Sequence, residues 1–238
     1  MKSNGLVLGV LGGMGPAASA EFMRLLAEKA PADKDQEHPR VILYSDSLIP
    51  NRTAFLEGKG EDPSPYLLKG LRSLLDWGAD LLCVTCNTAH IFIDSFPLEL
   101  NAHLIHIVEE TIYQCRQRSP KGAWLTATVG TVNSGLYQVH ASRSGYDFRV
   151  PSPEMCREIH EVTEIVKAGK TAEAARMYRD IIERLWEIEK LPVVAACTEL
   201  PIAYDATGLP AEMCVSSLDA LAEGCLRELY KPVIKNKR

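Results

Sequence analysis

Asp80-Leu81-Leu82-Cys83-Val84-Thr85-Cys86-Asn87-Thr88 is an almost unbroken apolar run that stops at a cysteine followed by two polar residues. Strands buried on both faces read this way, because side chains on either side of the sheet meet a helix layer rather than water. The pattern returns in the second half of the chain, in Val193-Val194-Ala195-Ala196-Cys197-Thr198-Glu199. Each copy places a cysteine at the end of a buried strand. Two halves of like architecture would turn two like strand ends toward one cleft, and in open α/β sheets ligands bind beyond the carboxyl ends of the strands.

Working outward from these two runs, short β-branched or apolar stretches fall at 6–11, 41–45, 104–107, 123–128, 146–150 and 213–215, with the quoted pair at 81–84 and 193–196. Amphipathic helical patterns lie between them at 17–29, 65–77, 109–118, 134–144, 153–168, 171–189 and 217–230. Ser64 before Pro65 reads as a helix cap followed by a first-turn proline, and Gly78 and Gly169 fall where helices end. Strand–helix alternation of this kind predicts an α/β protein with parallel sheets and right-handed crossovers. The stretches 31–39 and 51–65 read as surface loops.

Composition sets outer limits. The chain has 238 residues, 46% of them hydrophobic and 24% charged, enough apolar material for two packed cores. A net charge of −5 gives no reason to expect nucleic acid or an anionic membrane as partner. No stretch reaches the ~18 consecutive apolar residues of a membrane span. The apolar run at 6–11 ends in Gly12-Gly13-Met14-Gly15-Pro16 instead of a signal-peptide cleavage site, so a cytoplasmic location is expected. Seven cysteines without a secreted-scaffold spacing are expected to be free thiols, most of them small buried hydrophobes.

Cys86 and Cys197 are the two that share a context. A helical turn following each would direct backbone N–H groups and a positive dipole at the sulfur and lower its pKa. Alone, either would read as a core thiol; in parallel contexts, one per half, they read as a functional pair. Cys83 and Cys86 form a Cys-x-x-Cys spacing, but Cys83 lies inside the strand and no second chelating pair exists, so neither redox nor zinc chemistry is expected. The turn at 12–16 lacks both the Gly-Lys-Ser/Thr of a P-loop and the third glycine of a dinucleotide fingerprint. It could cradle a carboxylate or be a tight turn with no ligand. Arg52, in a loop after Pro50-Asn51, could clamp a carboxylate or simply be solvated. Lys167 sits near a helix C-terminus, where a cation is favoured whatever its role. His90 could tune a thiol or be an ordinary helix histidine. Thr131 and Ser134 could cap a helix or bind an anion at its N-terminus.

Three ordered motifs resemble the aspartate/glutamate racemase family: Leu11-Gly12-Gly13-Met14-Gly15-Pro16, Cys86-Asn87-Thr88-Ala89-His90 and Ala196-Cys197-Thr198-Glu199-Leu200-Pro201. The likeness spans nearly the whole chain and includes Gly130-Thr131, Ser134-Gly135 and Tyr137. It implies two α/β domains related by a pseudo-twofold, with the active site in the cleft between them. The first would comprise 1–107 and 217–238 and carry Cys86; the second, 108–216, would carry Cys197. By resemblance Cys86 and Cys197 are the two acid/base residues, Cys86 serving the D-enantiomer and Cys197 the L-enantiomer. Arg52 and Lys167 match positions that hold the side-chain carboxylate, and Met14, Asn87, Thr88 and Thr198 match positions lining the substrate. Thr131 joins them as a donor toward the α-carboxylate.

The implied activity is a pyridoxal-independent racemase of aspartate, or of glutamate, with no cofactor and no metal, acting as a homodimer. Ser19, where threonine is common, is a conservative departure. Two other readings use the same pocket: an isomerase or decarboxylase of another dicarboxylate, such as maleate isomerase or arylmalonate decarboxylase, and a binding protein without turnover. Paired thiols speak against the last, since binding alone does not need them.

Overall fold

The apolar runs become eight strands, divided between two four-stranded, wholly parallel sheets. The structure is a computed structural model and describes residues 2–232. Residues 233–238, assigned above to the end of the first domain, and Met1 lie outside the described residues.

In chain order the first half runs β1 (Val7–Gly12), α1 (Pro16–Lys29), β2 (Arg40–Ser45), α2 (Arg52–Leu56), α3 (Ser64–Asp76), β3 (Leu81–Val84), α4 (His90–Ile93), α5 (Leu98–Asn101) and β4 (Leu104–Ile105). The second runs α6 (Ile107–Arg118), β5 (Ala123–Thr126), α7 (Val129–Asn133), α8 (Leu136–Ser142), β6 (Phe148–Arg149), α9 (Pro153–Lys167), α10 (Thr171–Ile188), β7 (Val193–Ala195), α11 (Leu200–Asp205) and β8 (Cys214–Ser216), before α12 (Ser217–Leu229). The sheet orders are β2-β1-β3-β4 and β6-β5-β7-β8, so one topology is used twice. In both, the chain leaves the first strand to one side and returns on the other, which opens a crevice beyond the two central strands.

The halves share a core. Leu8, Val10 and Phe22 from the first sheet and α1 pack in one cluster with Leu125 and Val194 of the second sheet, Ile107 and Ile112 of α6, and Leu218, Leu221 and Leu229 of α12. The outer face of the first sheet is covered by α3 through Leu67, Leu71 and Leu74. That of the second is covered by α9 and α10 through Ile159, Val162, Tyr178 and Leu185. Helix α3 approaches closely because Gly70 faces Leu11: a Cβ there would lie 2.8 Å from Leu11 Cδ1.

Three local expectations need correction. Ser64 does not cap α3; it is the first helical residue, behind Pro63, and no side-chain cap bond is made. The stretch 51–65 is not wholly loop, since Asn51 Oδ1 accepts the Ala54 N–H and starts α2. The helix expected at 134–144 forms as the shorter α8, entered through Gly135 at φ 70°, and an unexpected helix, α7, capped by Thr128, precedes it. Gly78 and Gly169 do end their helices with positive φ.

Candidate active site

The site is built where both chains of strand run out. Strand β3 ends at Val84 and β7 at Ala195, so Cys86 and Cys197 each stand two residues past a central strand, the same offset in both halves. Cys86 and Cys197 line one narrow cleft, together with Met14, Arg52, Thr88, Thr128, Lys167 and Glu199. Asn87 and Thr198 complete the wall on the two cysteine turns.

The glycine turn leads β1 into this cleft. Gly13 adopts φ 90°, and a Cβ there would fall 2.4 Å from the Asp46 backbone, so only glycine passes. Its N–H is taken by Ser19 Oγ at 2.9 Å, and Ser19 donates in turn to the Gly15 carbonyl at 3.1 Å. Ser19 therefore braces the turn, as a threonine hydroxyl would. The Gly15 N–H does bind a carboxylate, but one supplied by the protein: Glu199 Oε1, at 3.1 Å.

Glu199 is the residue the sequence reading passed over, although it stands inside the quoted Cys-Thr-Glu. It is 2% exposed. Its second oxygen accepts from Cys197 Sγ at 3.1 Å and from Thr198 Oγ1 at 3.3 Å. The expected lowering of the thiol pKa does not occur at Cys197. Burial pushes it well above the ordinary thiol range, and the Glu199 carboxylate pushes in the same direction. Lys167 and the Glu199 backbone N–H pull it down, but they are outweighed. Only the turn geometry, which aims a side chain two positions on back at the sulfur, could reveal this.

Arg52 is not in a loop but opens α2. Nη1 donates to the Ile49 and Pro50 carbonyls at 3.1 and 2.8 Å, and Nη2 donates to the Met14 carbonyl at 3.1 Å. The guanidinium is thereby held rigidly, with its Nε–H buried and without a partner. Lys167 is the last residue of α9, 30% exposed, and its Nζ donates to Glu164 at 2.7 Å. Burial lowers its pKa, yet the Cys197, Glu199 and Glu164 groups together leave the ammonium above the usual lysine range.

The polar residues after Cys86 are largely committed to the scaffold. Asn87 Nδ2 donates to Ser217 Oγ at 2.9 Å, while its Oδ1 accepts the Tyr137 hydroxyl at 2.6 Å. The amide thus ties β3's turn to α8 and α12. Thr88 Oγ1 bonds with Thr128 and Thr131 at 3.1 and 2.8 Å, and Thr128 donates to Thr131 at 3.0 Å. Thr128 reaches the cleft wall; Thr131, fully buried, stands behind it as support and does not line the cleft. Strand β5 ends at Thr126, which puts Thr128, and neither Thr131 nor Ser134, at the helix cap. His90 does not face the thiol: its Nδ1 bonds the Cys86 carbonyl oxygen at 2.9 Å. Thr198 Oγ1 donates to the Thr85 carbonyl at 3.3 Å, joining the two cysteine turns across the cleft.

Known proteins resemble the chain along almost its whole length. A broad specificity amino-acid racemase, RacX, from Bacillus subtilis (strain 168) is 23% identical over 84% of this chain and 88% of its own. The solved structure of Picrophilus torridus aspartate racemase superposes with a TM-score of 0.81 at 26% identity, over 94% of this chain and 100% of that one. Glutamate racemase isoform RacE1 from Bacillus anthracis shares the fold with a TM-score of 0.66 at 14% identity, over 93% of this chain and 80% of that one. The profile of the Asp/Glu/Hydantoin racemase family matches residues 11–225, a span that takes in the glycine turn and both cysteine turns, and the chain belongs to that family.

Proposed function

We propose that the chain is a cofactor-independent racemase of acidic amino acids, interconverting L- and D-aspartate, or glutamate, with Cys86 and Cys197 as opposed acid/base thiols. The observation that carries this reading is a cleft lined by one cysteine from each half and by Arg52, whose Nε–H is buried without a partner. A carboxylate satisfies that donor, and a second guanidinium N–H on Nη2 can join it in a bidentate pair. Lys167 lines the same cleft and adds positive charge for the substrate's other carboxylate.

Racemisation removes the Cα proton from one face and returns a proton to the other, so one sulfur must begin as base and the other as acid. Cys197, with its pKa raised and Glu199 accepting its S–H, fits the acid. Abstraction falls to Cys86 in the D-to-L direction, as the family resemblance implies. After transfer the roles are exchanged, and the L-enantiomer regenerates the starting state. Negative charge grows on the α-carboxylate during the reaction, and the Thr88 hydroxyl on the cleft wall can donate to it, while Thr128 and Thr198 give their protons to protein acceptors and hold the wall in place. Met14 closes the apolar side, and Asn87 and Thr131 hold the donors in place. A homodimer in the cytoplasm belongs to the same proposal, and light scattering of the purified protein tests its assembly.

A second reading has its own observation. Three of Arg52's N–H groups are spent on backbone carbonyls, which weakens its hold on a side-chain carboxylate and suits a less selective racemase, as the name of the Bacillus subtilis relative describes. The test is incubation of reduced protein with each enantiomer of aspartate, glutamate and a panel of neutral and basic amino acids in D2O. Proton NMR follows loss of the α-proton and circular dichroism follows loss of optical activity. Exchange and racemisation of aspartate or glutamate, abolished in Cys86→Ala and Cys197→Ala, support the acidic assignment. Exchange confined to the other amino acids overturns it in favour of the second reading. No exchange with any refutes both.

A further inference from the structure

A second cluster of titratable groups lies outside the cleft, where the two halves meet. Asp94 ends α4, His106 caps α6, and His140 stands on α8. His106 Nε2 is 2.9 Å from Asp94 Oδ1, and His140 Nε2 is 2.9 Å from Asp94 Oδ2. One donor atom from each of the three lies within 4.8 Å of the other two. The imidazoles are stacked, with centroids 4.8 Å apart and planes at 27°, so both present the same edge to one carboxylate.

Three features separate this arrangement from a solvated ion pair. The two histidine side chains are shielded, at 10% and 6% exposure, while Asp94 at 38% leaves a path from solvent. Glu109, in the first turn of α6, stands 3.6 Å behind His140 on its other ring nitrogen, where the orienting carboxylate of a metal-bound histidine is found. His106 Nδ1 is buried and unpartnered, and so is Nε2 of His90, whose ring meets His106 edge-on at 4.4 Å. The polar capacity gathered here exceeds what the protein's own hydrogen bonds use.

We propose that Asp94, His106 and His140 form a site for a divalent first-row transition metal such as zinc, with Glu109 as its outer carboxylate. Two imidazoles and one carboxylate suit zinc, cobalt or nickel, and offer too few oxygens for calcium or magnesium. Donors about 2.0–2.1 Å from a tetrahedral ion lie roughly 3.4 Å apart, so the 2.9 Å pairs open slightly and separations of up to 4.8 Å close, adjustments within reach of side-chain rotation. The fourth position opens to solvent beside Asp94. Binding replaces the imidazole–Asp94 hydrogen bonds by metal bonds and ties α4 of the first half to α8 of the second. The ion would also lie behind His90 and the Cys86 carbonyl, as a brace of the cysteine turn with no part in the chemistry. The cysteine spacing had suggested no metal, and it is these unrelated histidines that raise one.

The test titrates chelator-treated, reduced protein with Co²⁺, followed by visible absorption. One equivalent bound with ligand-field bands and without a thiolate charge-transfer band is expected. Binding should persist in the Cys86→Ala/Cys197→Ala double variant, weaken about 10- to 100-fold in Glu109→Gln, and be lost in His140→Gln. Circular dichroism checks that the fold is kept; should His140→Gln not fold, Asp94→Asn, altered at a half-exposed carboxylate, must abolish binding in its place. Absence of one-equivalent binding, a thiolate band that follows the cysteines, or full affinity in the Glu109, His140 or Asp94 variants would overturn the site.

Discussion

Replacing Glu199 by glutamine removes a charge next to Cys197 while keeping the shape of the side chain. The carboxylate oxygen lies 3.1 Å from the sulfur in a site of 2% exposure. Repulsion between a thiolate and a carboxylate at that distance is of order 5 kcal/mol at an effective dielectric of about 20. Only the fraction not already offset by Lys167 is recovered, and one pH unit corresponds to about 1.4 kcal/mol. A quarter of the repulsion therefore moves the thiol's titration down by about a unit. Alkylation by iodoacetamide as a function of pH, with the Cys197 peptide quantified by mass spectrometry, reads this directly, since only the thiolate reacts. In the unaltered protein, labelling should still be climbing above the ordinary thiol range. In Glu199→Gln the whole profile should move to lower pH, giving roughly tenfold faster labelling at a fixed pH below the inflection. Superimposed profiles, or a shift upward, would show that the carboxylate does not govern the thiol and would remove the reason for casting Cys197 as the acid.

Lys167→Met should act with the opposite sign, since the ammonium lowers the Cys197 pKa; the same labelling profile should move to higher pH. Gly15→Ala tests the turn: φ of −108° admits alanine, but the new Cβ would sit 3.2 Å from Glu199 Oε1. Racemisation should fall at least severalfold while thermal stability changes by less than about 1 kcal/mol; unchanged turnover would detach the Gly15–Glu199 bond from function. Tyr137→Phe leaves the buried Asn87 Oδ1 without its 2.6 Å partner, and urea unfolding should show a loss of about 1–3 kcal/mol. Leu218→Ala, fully buried in the core shared by both sheets, should cost about 2–5 kcal/mol, whereas Leu98→Ala at 83% exposure should cost less than about 0.5 kcal/mol. Equal effects of these last two would mean that the shared core contributes nothing to folding.

What could be read in the residues was whatever depends on local pattern. Continuous apolar runs at Leu81–Val84 and Val193–Ala195 announce strands buried on both faces, and both form as parallel central strands. The two cysteines were legible for the same reason: each is the first chemically distinctive group after such a run. Helix existence followed from the 3.6-residue period in α3, α9 and α10, whose apolar faces cover the sheets. Elements of four to six residues, α2, α4, α5, α7 and α11, were missed because they are too short to display a period and owe their form to contacts outside themselves.

Tertiary structure alone decided how the site is wired, because hydrogen bonds across 40 to 184 positions leave no trace in local spacing. Thr131 had the right residue type and a neighbouring position, yet Thr128 took the cleft wall, since β5 stops two residues earlier. Arg52 carried the right charge, but whether its guanidinium was solvated or pinned depended on carbonyls at Met14, Ile49 and Pro50. The Cys197 thiol shows the limit most clearly. The sequence places a helical turn behind it, which favours the thiolate, while packing removes the sulfur from water and sets Glu199 beside it, which favours the thiol. Burial of a charge outweighs a short helix's dipole, and burial is a property only of the folded chain.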